Sequence, residues 1–273
     1  AVYKTITLDT RQYKRFKMFV HAEELIDGEN IPDNRLYAFV RFGSDFTQNY
    51  YEYRIPLKIT PAGAIDQYSV WPQANNFDFE FEMLTNLKLE RDKKRNAGQV
   101  RYNERYTKMH GNNTMAVIGS PSFGDISSMM IGIVNEDDVT HSAEIWVNEM
   151  RMSGYDEEGG WAAIANLGIV FSELGSLTVG GQIGTVGFGN IEDNISDRNQ
   201  EDFYEYNITA AVQLGKLFPE KAKVNLPFTY TRTHQRTSPK YDPMNTDTEL
   251  SKTLDNFDHE KEKDSIKAMS QTD

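Results

Sequence analysis

From Tyr204 to Leu214 the side chains alternate in character at every step. Tyr204, Tyr206, Ile208, Ala210, Val212 and Leu214 fall on one side, and Glu205, Asn207, Thr209, Ala211 and Gln213 on the other. A period of two means an extended strand with one greasy and one wetted face, because successive strand side chains point to opposite sides. Three neighbouring segments repeat the pattern. Trp161, Ala163, Ala165, Leu167, Ile169 and Phe171 oppose Ala162, Ile164, Asn166, Gly168, Val170 and Ser172. Leu177, Val179, Gly181 and Ile183 oppose Thr178, Gly180, Gln182 and Gly184, and Val224, Leu226, Phe228 and Tyr230 oppose Asn225, Pro227, Thr229 and Thr231. Each run is close to the ~9–11 residues that carry a tilted strand across a bilayer. Residues 160–232 therefore predict about four antiparallel strands of an outer-membrane β-barrel.

The connections fit that expectation. Glu173–Ser176 and Gly215–Ala222 are short, whereas Asn190–Asp202 is long and acidic, as periplasmic turns and external loops are. Trp161, Phe188, Phe203, Tyr204, Phe228 and Tyr230 fall near strand ends, where interface girdles sit. The lipid-facing candidates are Leu167, Ile169, Tyr206, Ile208, Val212, Leu214, Leu226 and Phe228. Because a barrel needs about eight strands to close, the four strands imply an incomplete barrel that other sequence must finish. A soluble sheet is the alternative. The chain opens at Ala1-Val2-Tyr3 without a visible signal peptide, which reads as the interior of a longer protein.

Residues 1–155 have a different texture. Lys14–Val20, Leu36–Phe42, Tyr50–Ile59, Ser128–Val134 and Glu144–Met152 read as strands, the last with an irregularity after Val147. Short strands without helical stretches between them predict a soluble, jelly-roll-like β-sandwich. Glu90–Asn113, with its basic run Arg91–Arg95, reads as an exposed loop, and Asn135–Asp138 as an acidic turn that could offer oxygen ligands to calcium. Residues 233–273 read as a long charged loop, partly helical or disordered, with a possible capping box at Thr246 and Glu249. The fold class expected is all-β: a sandwich followed by barrel strands.

Chemistry is sparse. The net charge of −12 argues against nucleic acid as a partner. There is no cysteine, so disulfides and thiol chemistry are excluded. His21, His110, His141, His234 and His259 show no metal-ligand spacing. Ser120 and Ser122 lie in a turn-like Gly-Ser-Pro-Ser-Phe-Gly run that lacks a nucleophile elbow. The glycines of 180–189 lack the helix and Lys-Ser/Thr of a phosphate loop and read as a strand whose inner face is crowded by another backbone. Glu144 and Glu149 could be paired as in a glycosidase, but nothing fixes their distance. No catalytic, cofactor-binding or metal-binding residue is expected, and no enzyme. Trp71 and Trp146 could form a sugar-stacking platform, which would make the chain a surface carbohydrate- or protein-binding module.

Several long segments resemble one family. YKTITLDTRQYKRFKMFVHAE (3–23), FVRFGSDFTQNYYEYRIPLKITP (39–61), VWPQANNFDF (70–79), SAEIWVNEMRMSGYDEEGGWAA (142–163) and LGSLTVGGQIGTVGFGNIE (174–192) are similar to the SprA/Sov family of large Bacteroidota outer-membrane proteins. The resemblance implies the translocon of the type IX secretion system, tied to gliding motility. It also implies a very large single-chain barrel, with outer-membrane lipid, secreted polypeptide cargo and accessory secretion-system proteins as partners. This chain would be one internal slice of such a channel, located in the outer membrane.

Overall fold

The structure is a computed structural model of the 273-residue chain. It describes residues 1–25, 28–101, 103–192, 197–255 and 260–271. Two compact units emerge, Ala1–Asp156 and Glu157–Asp273. Strand dominates at 49%, against 17% helix, and every sheet is antiparallel.

The first unit contains β1 (Val2–Leu8), β2 (Tyr13–Glu24), β3 (Leu36–Gly43), β4 (Tyr50–Pro56) and β5 (Phe77–Glu80). It continues with β6 (Tyr106–His110), β7 (Asn113–Ile118), β8 (Ile126–Asn135) and β9 (Ala143–Tyr155). A six-stranded sheet in the order β1-β8-β3-β4-β7-β6 faces a three-stranded sheet in the order β5-β2-β9. Alternation decides which side chains meet between them. Phe16, Met18 and Val20 of β2, Leu36, Ala38 and Val40 of β3, and Tyr51, Tyr53 and Ile55 of β4 all enter one core. Aromatic rings join the layers: Phe16 meets Phe42 edge-on at 5.2 Å, and Tyr53 stacks on Phe79 at 4.1 Å. The irregularity in β9 is a bulge. Register against β2 shifts between Lys17 and Phe19, and Glu149 takes a φ of 51°. The sheets divide six to three rather than into the equal halves of a jelly roll.

The expectation of a helix-free unit with a loop at Glu90–Asn113 is overturned. A short helix α1 (Gln67–Val70) is capped by Asp66, whose carboxylate accepts from Tyr68 and Ser69 N–H. A longer helix α2 (Phe81–Asn96) follows β5, and β6 and β7 form a hairpin where the loop was expected. Helix α2 buries Phe81, Leu84, Leu87, Lys88 and Arg91 at helical spacing. Two of those five are cations, which hides the stripe from a hydropathy reading. Their stems pack while their heads find carbonyls. Lys88 Nζ donates to Pro121 O at 2.8 Å, and the fully buried Arg91 donates to Gly119 O and to Asp92 Oδ1. Arg91 of the basic run is thus part of the core's seal, while Lys93, Lys94 and Arg95 lie toward the outer side of the helix rather than in a loop. Arg91 grips the 119–124 turn, where Gly119 (φ +70°) leaves no room for a Cβ beside Gln48 O.

The outer face of the six-stranded sheet carries a buried carboxylate. Glu52 accepts from Arg41 Nε at 2.6 Å, from Arg54 at 3.2 Å and from Arg105, and its side chain is fully covered. Arg54 also pairs with Glu136. An ion in so covered a place survives only because several charge-assisted hydrogen bonds replace its water.

The second unit opens with a four-stranded meander: β10 (Ala162–Val170), β11 (Gly175–Gly184), β12 (Glu201–Gln213) and β13 (Pro227–Pro239). β14 (Tyr241–Asp242), β15 (Asn245–Glu249), α3 (Leu250–Asp255) and α4 (Glu260–Ser270) follow. Strand β13 runs on to Pro239, past the 232 limit expected from sequence, because extended alternation continues through Thr233, Gln235 and Thr237. The region beyond 232 therefore contains ordered strand and helix rather than one long loop. Thr246 and Glu249 lie in β15, so they form no capping box, although a helix does begin at Leu250.

Candidate membrane-facing sheet

Register fixes which side chains share a face of the meander, since directly paired residues point the same way. One face carries the rows Ile169–Leu177–Ala210–Tyr230, Leu167–Val179–Ile208–Arg232, Ala165–Gly181–Tyr206–His234 and Ala163–Ile183–Tyr204–Arg236. Val212 and Phe228 pair one row nearer the short turns. Six of the eight expected lipid-facing residues, Leu167, Ile169, Tyr206, Ile208, Val212 and Phe228, therefore meet on one surface. Leu214 begins a 3-10 turn and Leu226 precedes β13, so these two lie outside the strands.

This face is not covered. Leu167 is 55% exposed, Phe228 49% and Tyr230 46%. A soluble sheet normally hides such a surface under a second layer, as the first unit does.

The other face is mainly polar. Its rows read Ile164–Gln182–Glu205–Gln235, Asn166–Gly180–Asn207–Thr233 and Gly168–Thr178–Thr209–Thr231. Gln182 Nε2 donates to Glu205 Oε2 at 2.8 Å across β11 and β12. Ile164, Val170 and Phe203 are the large apolar exceptions on this face, and Ile164 and Val170 are exposed. Gly180 explains part of the glycine run. A Cβ there would fall 2.4 Å from Asn207 Oδ1 and 2.8 Å from Asn166 Oδ1. At Gly180 the crowding comes from side chains of the flanking strands, whereas at Gly187 of the same run it comes from backbone, with Glu158 O 2.5 Å from where a Cβ would lie. At Gly184 the ring of Phe203 fills the same role.

The two short connections lie at one end and are tied together. Lys216 Nζ reaches Glu173 Oε2 at 2.7 Å, and that ammonium holds the Glu173 carboxyl below its usual range. The long connection after Gly184 lies at the other end.

The apolar limit on the exposed face runs obliquely. On β13 the last apolar residue toward the long-connection end is Tyr230, level with Ile169 of β10. On β10 the apolar run continues past that level through Leu167 and Ala165 to Ala163. It reaches Trp161, which still ladders with Thr185 through N–H···O bonds of 2.8 and 3.0 Å.

A family model described as SprA_N, motility related/secretion protein, matches residues 1–254. The chain belongs to the SprA_N family. The match spans the sandwich and the whole meander, so both belong to what defines SprA_N chains. Secretion and motility are activities of the cell envelope. No curated protein matches the chain.

The remaining sequence candidates of this SprA_N chain are dispersed. His21 is buried with Nδ1 2.6 Å from Val70 O, His110 lies 3.2 Å from Tyr53 Oη, and His141 bridges Glu29 and Asp137. His259 lies outside the described residues. Among the described residues no three acidic or histidine side chains gather around a possible ion. Asp137 of the acidic turn is engaged by His141, whose pKa this hydrogen bond raises. Ser122 Oγ accepts from Gly124 N–H, and Ser120 N–H donates to Asn49 Oδ1, as turn residues do. Glu144 accepts from Trp146 Nε1, while Glu149 faces Arg151. Trp71 and Trp146 both approach the His21 ring at 5.6 Å, with interplanar angles of 50° and 59° to it. No described helix is long and apolar enough to cross a membrane, which says nothing about strands.

One feature of the sheet escaped the sequence reading. Arg232, His234 and Arg236 alternate along β13 on the greasy face. The signal was present, since the period of two continues past Thr231 with cations replacing apolar residues.

Proposed function

We propose that β10–β13 are part of the wall of an outer-membrane protein-conducting channel, and that residues 1–156 are its soluble sandwich domain. The observation that carries this reading is the uncovered apolar face with its oblique limit. Strands of a membrane barrel are tilted by about 45°. With strands about 4.8 Å apart and rising about 3.4 Å per residue, a plane parallel to the membrane meets each next strand ~1.4 residues further along, or ~4 residues over three steps. The retreat from Ala163 on β10 to Tyr230 on β13 has that form and order of size.

On this reading the greasy face meets outer-membrane lipid. The face of Thr, Asn, Gln and Gly lines the passage and offers secreted polypeptide a hydrated surface with no strong foothold. Open strand edges cost several kcal/mol per unpaired group in hydrocarbon. The free edges of β10 and β13 are therefore closed by further strands, to a total of at least about eight. The role is transport with accessory secretion proteins rather than catalysis, and it serves export and motility.

The test uses the absence of native cysteine in this chain. Cysteines placed singly at Asn207 and Thr209, and at Ile208 and Ala210, are probed in intact outer membranes with a water-soluble maleimide. Labelling at 207 and 209, with 208 and 210 reacting only after detergent, supports the channel wall. Equal labelling at all four positions in intact membranes refutes it.

A further inference from the structure

We propose that Arg232, His234 and Arg236, flanked by Tyr204 and Tyr206, form a binding site for the phosphate of an outer-leaflet lipid headgroup. The inference rests on the channel-wall reading and adds a ligand to it.

Placement comes first. Across β10, β11, β12 and β13 the only Lys, Arg or His residues are these three. All three fall on the face that carries the apolar rows, and all on one strand. They begin one step beyond Tyr230, where the apolar residues of β13 end. They lie toward the long connection, the side that faces outward in outer-membrane barrels. A cation on the lipid side of a barrel is costly at mid-membrane and nearly free at the interface. Three in a row along one face therefore mark the depth at which hydrocarbon gives way to headgroups.

The chemistry is specific to an anion. Arg232 makes no hydrogen bond or ion pair among the described residues, so its guanidinium keeps its whole donor fork for a ligand. His234 sits between the arginines, its Nε2 3.3 Å from Tyr204 Oη and its ring 5.7 Å and 5.4 Å from those of Tyr204 and Tyr206. Asp202 is the carboxylate that β12 places on this face, and its Oδ1 accepts from Val186 N–H at 2.8 Å. Guanidinium forks match phosphate oxygens bidentately. Tyr rings prefer the headgroup level, where one edge is greasy and the other wet. Phosphate held among arginines and tyrosines at the upper margin of an apolar band is the arrangement a lipid phosphate fits.

The test uses the full-length protein in nanodiscs of phosphatidylcholine doped with lipid A. The readout is lipid A retained through phosphatidylcholine exchange, measured by mass spectrometry. The native chain should retain lipid A. The Arg232→Gln/Arg236→Gln variant should retain at least about tenfold less, a change of about 1.4 kcal/mol. Arg232→Lys keeps the charge and loses the fork, so it should retain lipid A at a level between the native chain and the Gln variant, which separates lost binding from lost folding. Equal retention by the Gln variant overturns the site and leaves the wall intact. Displacement of the lipid by inorganic phosphate alone overturns the lipid as the source. Failure of the native chain to enter nanodiscs overturns the wall, and the site with it.

Discussion

Ile208→Arg is the most informative perturbation of the meander. Ile208 lies on the inner strand β12, paired with Val179 of β11 and Arg232 of β13, in the row that Leu167 completes. In a membrane wall it lies on the apolar side of the oblique limit, one strand in from Arg232, at a depth where a lipid-facing Arg costs between the ~0–1 kcal/mol of the interface and the ~2–4 kcal/mol of mid-membrane. Repulsion from Arg232 directly opposite adds up to about 1 kcal/mol. At about 1.4 kcal/mol per tenfold change, a combined cost of at least about 1 kcal/mol lowers the folded, membrane-assembled fraction at least ~5-fold in equilibrium terms. On a water-exposed sheet the same change would stay within about 0.5 kcal/mol. The tilt sharpens the test. Ala163 and Tyr204 occupy the same row, yet Ala163 lies inside the oblique apolar limit and Tyr204 at its margin. Ala163→Arg should therefore cost more than Tyr204→Arg, which should cost about 0–1 kcal/mol. The assay is the equilibrium unfolding of the full-length protein in lipid, with the outer-membrane fraction measured in cells. Wild-type assembly of Ile208→Arg, or equal costs along the row, would refute both the lipid contact and the tilt.

Three further outcomes concern the sandwich. Glu52→Ala should destabilise it by about 3–5 kcal/mol, because it strands Arg41, Arg54 and Arg105 around an uncompensated space; thermal unfolding measures this. Arg91→Met should cost about 1–3 kcal/mol by leaving Gly119 O without its donor, and proteolysis should then cut first at the 119–124 turn. Glu90 accepts from Lys108, Tyr106 and Lys94, which hold its pKa down at about 2 against the usual 4.5. Its folded-state pKa is lowered, so its contribution to stability is present above pH 4.5 and is lost as pH falls toward 2. Glu90→Gln should flatten acid unfolding in that window, and an unchanged acid limb would count against the cluster.

The alternation in 161–231 determined strand, facing and chain order of the meander without help from the structure, because a period of two leaves one choice of which side chains share a surface. Long patterned segments likewise located the strands of the sandwich core, such as Phe16-Met18-Val20. Helix α2 was not legible. Its buried stripe contains Lys88 and Arg91, which count as core only once the carbonyls of Pro121 and Gly119, far along the chain, lie within reach. The same holds for Glu52, whose three arginines come from three separate segments. Register, too, belongs to the folded sheet. Only pairing shows that Tyr230 stands level with Ile169 and that the greasy surface ends obliquely, leaving Arg232 and Arg236 at its margin. Local periodicity reports how a strand faces its surroundings. What it faces depends on distant partners, and those the chain acquires only by folding.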